Sequence, residues 1–296
     1  MSTVNDPPAE TARHYEIMRP ERQSVPLVFA SPHSGRDYPR DFVASATLDP
    51  LALRRSEDAY VDELFAAAPG FGAPLVKALF PRAFIDPNRE PFELDPAMFV
   101  DELPSYANSQ SSRVAAGLGT IPKVVSNGRE IYRAKLTFAA AAERINVYYR
   151  PYHKALVGLI DETVERFGFC VVIDCHSMPS VGGPLDPDAG RGRADFVLGD
   201  GFGNACEDRV TTTVEAALRA HGHSVVRNKP FAGGFTTRHY GRPARGVHAL
   251  QIEINRALYM DELTIERRHG IDRLSRQLVD VIVALTGLGG LDLAAE

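Results

Sequence analysis

Apolar and polar positions switch between two periods along this chain, and each switch marks an element. Val25–Ala30 (VPLVFA) is a short apolar run closed by Ser31-Pro32, which predicts a buried strand. Runs of the same kind recur in APLVKALF, at Phe169–Ile173 (FCVVI), in ADFVLGD, at Ser224–Arg227 and at Gly246–Ile254 (GVHALQIEI). Between them, Val61, Leu64, Phe65 and Ala68 repeat at helical spacing behind Ser56-Glu57-Asp58, where Asp58 is a natural N-cap. Leu136–Phe167 is the longest helical pattern, and Pro151 is expected to kink it or start a new helix. Gly203–His221 and Met260–Leu285 supply two more helices. Strands alternating with helices predict an α/β fold, with one mixed, mostly parallel sheet flanked by helices. We read a single domain over residues 21–290, after a flexible lead-in over residues 1–20 that ends in a short strand around His14–Ile17. Residues 95–128 are polar and glycine-rich with weak periodicity, and are expected to run over the surface as a lid.

Composition narrows the partners. The chain has 296 residues, of which 44% are hydrophobic and 24% charged, enough to bury a core without staples. Its net charge of −5 argues against nucleic acid, which wants a basic footprint. The 3 cysteines, Cys170, Cys175 and Cys206, have no framework spacing and suit a reducing compartment as buried small apolar residues. No apolar run reaches the length of a membrane span, and the N-terminus lacks a basic-then-apolar leader, so the expected location is cytoplasmic.

The candidate chemistry gathers just behind the strands, where α/β sheets bind ligands. His33 follows the first strong strand, Asp86-Pro87-Asn88-Arg89 the second, and Asp174-Cys175-His176 the third, while Glu253 interrupts the apolar LQIEI. Charges are costly to bury unpaired, so each needs a reason. His33 and His176 with an acid would make an open zinc site; the plainer alternative is two hydrogen-bonded structural histidines. Asp174 lies two residues before His176 on the same side of a strand and can fix its tautomer. Asn88-Arg89 can clamp a carboxylate, or Arg89 can form an ordinary salt bridge. Glu253 either pairs with an arginine or acts as general base for a water. The glycine-rich Ala232–Pro243 has no phosphate-cradle spacing and reads as a mobile loop whose Tyr240 can swing inward. There is no G-x-G-x-x-G, H-E-x-x-H, G-x-S-x-G or C-x-x-C, which disfavours Rossmann cofactors, helix-borne zinc proteases, serine hydrolases and thiol redox chemistry.

Read in order, PHSGRDYP, EDAYVDELF, DPNREPFELD, DCHSMPS and GGFTTRHYGRPARGVHALQIEINRALYMDE resemble the N-formylglutamate amidohydrolases, a likeness running from about Val25 to about Leu285. That family resembles a distant branch of the zinc carboxypeptidase and aspartoacylase superfamily, which implies a carboxypeptidase-like (phosphorylase/hydrolase-like) fold. The resemblance implies one Zn2+ per chain on His33, His176 and an acid, Asn88 and Arg89 on the substrate carboxylate, Tyr240 on a mobile loop, and Glu253 as general base. It implies hydrolysis of a small N-acyl amino acid such as N-formylglutamate. The carboxypeptidases carry their acidic ligand three residues after the first histidine, where this chain has Arg36. Asp58, at a helix start beside the strand-end loop, is our choice for that ligand, with Glu57 and Asp37 as alternatives. Arg144 is the candidate for polarising the scissile carbonyl. A dicarboxylate would want a second cation, for which Arg82, Arg133 and Arg242 are available. Two other readings stay open: a metallopeptidase acting on short or cell-wall peptides, and a non-catalytic carboxylate-binding protein.

Overall fold

The apolar runs pair into one seven-stranded sheet. Its strands are β1 (Tyr15–Met18), β2 (Leu27–Ser31), β3 (Leu75–Ala78), β4 (Cys170–Met178), β5 (Phe196–Gly199), β6 (Val225–Arg227) and β7 (Val247–Asn255), in the order β1-β3-β2-β4-β7-β5-β6. The β1–β3 and β5–β7 ladders are antiparallel and the others parallel, so the sheet is mixed and mostly parallel. The computed structural model describes residues 14–184 and 186–290; residues 1–13 of the expected lead-in lie outside the described residues. Among the described residues, no helix is long and apolar enough to cross a membrane.

Side chains alternate across a strand, so the central strands bury two different layers. Leu27, Phe29, Val171, Ile173, Leu250 and Ile252 pack on one face with the helices Asp208–Ala220 and Ile271–Thr286. Val28, Ala30, Val76, Cys170, Val172 and Ala249 pack on the other with the helix Arg150–Phe167. Cover on both faces is why these strands read as unbroken apolar runs. Cys170, Cys175 and Cys206 are free and buried.

Three helices differ from their sequence patterns. Leu136–Phe167 is divided into Phe138–Arg144, a π turn over Ile145–Tyr149, and Arg150–Phe167. Pro151 has no N–H to give, and the wider turn before it accommodates that loss. The helical pattern of Met260–Leu285 becomes helix only from Ile271, because Asp261 accepts from the backbone N–H groups of Leu263 and Thr264 and closes a competing turn. Behind Asp58 the helix is a single turn, Val61–Leu64, with Tyr60 rather than Asp58 at its N-cap position.

The 95–128 segment contains two short turns, Pro96–Met98 and Ser112–Ala115, and walls the site. It is stitched to the Asp86–Leu94 loop: Asp86 N donates to Thr120 O (2.8 Å), Thr120 N to Glu93 O (2.8 Å) and Leu94 N to Asn108 O (3.0 Å).

Candidate active site

Period two also governs the chemistry. Asp174 and His176 continue the β4 face begun by Cys170 and Val172, while Gln251 and Glu253 continue the β7 face begun by Ala249. The parallel register sets Asp174 opposite Gln251 and His176 opposite Glu253. Four polar residues therefore share one buried patch at the carboxyl ends of adjacent strands. His33 enters from the loop after β2, where the chain passes so close to β3 that a Cβ on Gly35 would lie 2.2 Å from the Phe80 carbonyl oxygen. Asp58 is tied to that loop: its N–H donates to His33 O (3.1 Å), and Ser34 Oγ donates to Asp58 O (2.9 Å).

The carboxylate of Asp58 faces both imidazoles. Its Oδ2 is 3.2 Å from His33 Nδ1 and 3.0 Å from His176 Nδ1, and the ring centroids are 4.7 Å apart. One donor atom from each of His33, Asp58 and His176 lies within 4.8 Å of the others, and all three residues are buried. The far nitrogens are held by acids: His33 Nε2 lies 2.7 Å from Asp86 Oδ1, and His176 Nε2 lies 2.9 Å from Asp174 Oδ1. Two histidines and a carboxylate, each ring beside an outer carboxylate, are donors of the kind that open zinc sites use. The residues fit a divalent ion.

Charge follows from these contacts. Burial alone would raise the Asp58 pKa, but the hydrogen bonds from His176 and His33, with the charges of His33 and Arg82, hold it well below the carboxylate range. Burial works against a charged His176; Asp174 and Asp58 more than offset it and keep this ring's pKa well above the usual value. Glu253 goes the other way. Burial pushes it up to about 7, with Asp58 adding to the rise and His176 opposing it. Gln251 Nε2 donates to Glu253 Oε1 (2.9 Å), and Gln251 Oε1 accepts from Gly234 N (2.7 Å), which ties Glu253 to the neighbouring loop.

These groups line a cavity of about 170 Å³. Pro122, Val124 and Val125 from the 95–128 segment form one wall, and Phe231–Gly234 another.

A family model described as N-formylglutamate amidohydrolase matches residues 25–260. The chain belongs to the N-formylglutamate amidohydrolase family. Among the relatives of this family, the N-formylglutamate deformylase of Pseudomonas aeruginosa is 30% identical over 252 residues, covering 83% of this chain and 86% of the relative. The deformylase of Pseudomonas putida is 29% identical over 242 residues, covering 80% and 83%. The crystal structure of the N-formylglutamate amidohydrolase from Ralstonia eutropha superposes with a TM-score of 0.82 at 39% identity, over 93% of this chain and 97% of that one.

The residues expected from sequence fare unevenly. His33, Asp58, His176 and Glu253 converge. Of the alternatives to Asp58, Glu57 is turned to Arg54 (3.0 Å) and the Tyr38 hydroxyl (2.7 Å), and Asp37 is exposed. Arg36 pairs outside with Glu63 (3.0 Å), so it does not stand in for a ligand. Asn88 lines the cavity, but its amide is not an open clamp: Oδ1 accepts from Thr236 N (2.8 Å), and Nδ2 lies 3.0 Å from His176 Nε2. A Cβ on Gly234 would lie 2.3 Å from that amide nitrogen. Arg89 donates Nε to Leu118 O (2.8 Å) and Nη1 to Asn88 O (2.7 Å), leaving Nη2 at 3.7 Å from Asp86.

Arg144 and Tyr240 do not reach the cavity. The guanidinium of Arg144 sits 4.2 Å from the Phe84 ring centroid and donates to Phe84 O (3.1 Å) and the Tyr132 hydroxyl (2.7 Å), an aromatic cage that holds it away from the triad. The Tyr240 hydroxyl lies 2.6 Å from His153 Nδ1, while His153 Nε2 lies 2.8 Å from Pro87 O. Arg133 and Arg242 are also elsewhere, bound to backbone carbonyls at Ala46 and Arg238.

Other residues take positions that the sequence reading did not assign them. Asp86 orients His33. Arg256 Nη2 donates to Asp58 Oδ1 (2.9 Å), and Arg82 Nη2 donates to Asp86 Oδ2 (2.8 Å). Gln251 had a readable sign, since it lies two residues before Glu253 on the same strand face.

Proposed function

We propose that this chain is a zinc-dependent amidohydrolase that removes the formyl group from N-formylglutamate. The observation that carries this is the pairing of His176 with Glu253 across the β4–β7 ladder, which sets a base beside a two-histidine, one-carboxylate donor set. The names of the relatives, N-formylglutamate deformylase, support the substrate.

His33, Asp58 and His176 would hold the ion, which supplies Lewis acidity to a carbonyl and acidifies water. Glu253, raised to about 7 by burial, accepts the proton of the attacking water at neutral pH and returns it to the departing amine. Its Oε1 is held by Gln251, which leaves Oε2 for the proton. Arg82 lines the cavity beside both Asp58 and Asp86; it takes the carbonyl-polarising role first expected of Arg144. Arg89 receives the α-carboxylate through Nη2, while Asn88 positions His176 instead of gripping substrate. Walls on two sides suit a small acyl amino acid better than a long peptide.

The test is formate release from N-formylglutamate by protein stripped with a chelator and then titrated with zinc. Activity should return at about one zinc per chain. His176→Ala should lose both the metal and the turnover. Full activity in the stripped protein, or an inactive protein with the zinc site filled, would overturn the proposal.

A further inference from the structure

Five guanidinium groups line the cavity: Arg82, Arg89, Arg113, Arg193 and Arg256. Four of them are hydrogen-bonded or paired within the protein, Arg89 only in part. Arg82 bonds Asp86, and Arg256 bonds Asp58, Ser177 and the Arg55 carbonyl. Arg193 is held by Asp186 (2.6 Å) and Asp188 (2.7 Å), and Arg89 spends two nitrogens on backbone carbonyls. Arg113 differs: among the described residues its guanidinium has no hydrogen bond and no ion pair.

Its surroundings sharpen the contrast. Arg113 lies close enough to the buried Arg89 for the two charges to repel, which helps burial bring the Arg89 pKa down to about 10. The acids that might answer it are taken. Asp186, on the same cavity wall, belongs to Arg193. Glu93, in the adjoining cleft, accepts from Ser111, and Glu90 accepts from Asn108 (2.8 Å). Nor is Arg113 on a loose tether: Ser111 Oγ caps its turn by accepting from Val114 N (3.0 Å), and Thr120 pins the far end to Glu93. Two like charges held near one another at a cavity wall leave room for an anion from outside. The adjacent wall is apolar, made by Leu118, Pro122, Val124 and Val125.

We propose that Arg113 is the specificity residue of this pocket: it receives the side-chain carboxylate of an N-acyl dicarboxylic amino acid, whose methylenes lie on the Leu118–Val125 wall. This rests on the amidohydrolase reading and assigns what that reading leaves open, the end of the substrate remote from the scissile bond. Arg89 and Arg113 then divide the work, one carboxylate each.

The test compares N-formyl-L-glutamate with N-formyl-L-glutamine, its neutral isostere, on the zinc-loaded full chain. The wild type should prefer the acid. Arg113→Met should lower that preference by about 10- to 100-fold, mainly through KM for the acid, and Arg113→Lys should restore part of it. A preference unchanged in Arg113→Met, or a loss equal for both substrates, overturns the proposal. Calorimetric binding of glutarate to wild type and Arg113→Met separates this from the parent reading. If the wild type cleaves neither substrate, the amidohydrolase reading fails; glutarate affinity that falls at least tenfold in Arg113→Met still upholds the subsite, and equal affinity overturns it.

Discussion

The two faces of β4 and β7 are built from alternate residues of the same strands, yet one is apolar between Ser177 and His248 at its ends and the other turns wet at its carboxyl end. Ile173, Cys175, Ile252 and Ile254 are apolar and pack under helices. One residue away, Asp174, His176, Gln251 and Glu253 bury charge and amide in the same depth of protein. The dry face is held by area removed from water. The wet face persists because most of its polar groups are answered: His176 by two carboxylates, Asp58 by two imidazoles and Arg256, Gln251 by Glu253 and a backbone N–H. Glu253 is the exception, answered by one amide and left with a raised pKa. The face that stabilises the fold and the face that carries the candidate site thus occupy the same strands, and substitutions should separate them.

The largest separation is expected at Glu253. Glu253→Gln should keep its metal and lose about 10²–10⁴ in kcat. The same substitution should stabilise the metal-free protein. A carboxyl whose folded pKa is raised binds its proton more tightly when folded. Its contribution is favourable below the unfolded value near 4.5 and is lost as pH rises toward about 7. In chelator, Glu253→Gln should therefore melt several degrees above wild type at pH 8, with the gap closing toward pH 5. A lower melting temperature at pH 8 would mean that Glu253 is fully paired and that the two faces do not differ as described.

The converse belongs to Leu250, three residues earlier on the dry face and fully buried. Leu250→Ala should cost about 2–5 kcal/mol, near 10 °C in Tm, and leave kcat per folded molecule about where it was. A kcat that falls with Tm would show that the strand transmits packing to the base.

The sequence made the dry face legible as apolar runs and half of the wet face as interruptions in them. His176 and Glu253 stand out because a buried strand tolerates them only for a reason, and His33 because it follows such a strand at once. Asp58 was found by its nearness to that loop, though it caps no helix; its backbone is bonded to His33 instead. Arg144 lies among aromatic rings rather than on the cavity lining, and an arginine on a helix carries no mark of the rings it will meet. Arg113 was invisible for a related reason: it lies in a stretch with no period, so nothing local says which way it faces. Asn88 was recognised as part of the site, but its contacts with Thr236 and Gly234 were not readable, since both come from a loop far along the chain.

Tyr240 gives the smallest effect and bears on a second comparison, between two kinds of buried histidine. His33 and His176 have carboxylates at both nitrogens. His153 has only the Pro87 carbonyl and the Tyr240 hydroxyl, and burial brings its pKa down to about 4, so it is neutral and serves as a strut between the Asn88 loop and the helix Phe235–Tyr240. Tyr240→Phe removes one hydrogen bond from that strut and should cost about 1 kcal/mol of stability. The effect on kcat/KM should stay under about tenfold, or 1.4 kcal/mol. A tyrosine that leaves His153 and swings over the substrate would instead show a kcat loss well beyond that, with Tm little changed. Measuring both quantities on one variant therefore decides whether the strut holds during turnover or opens with it.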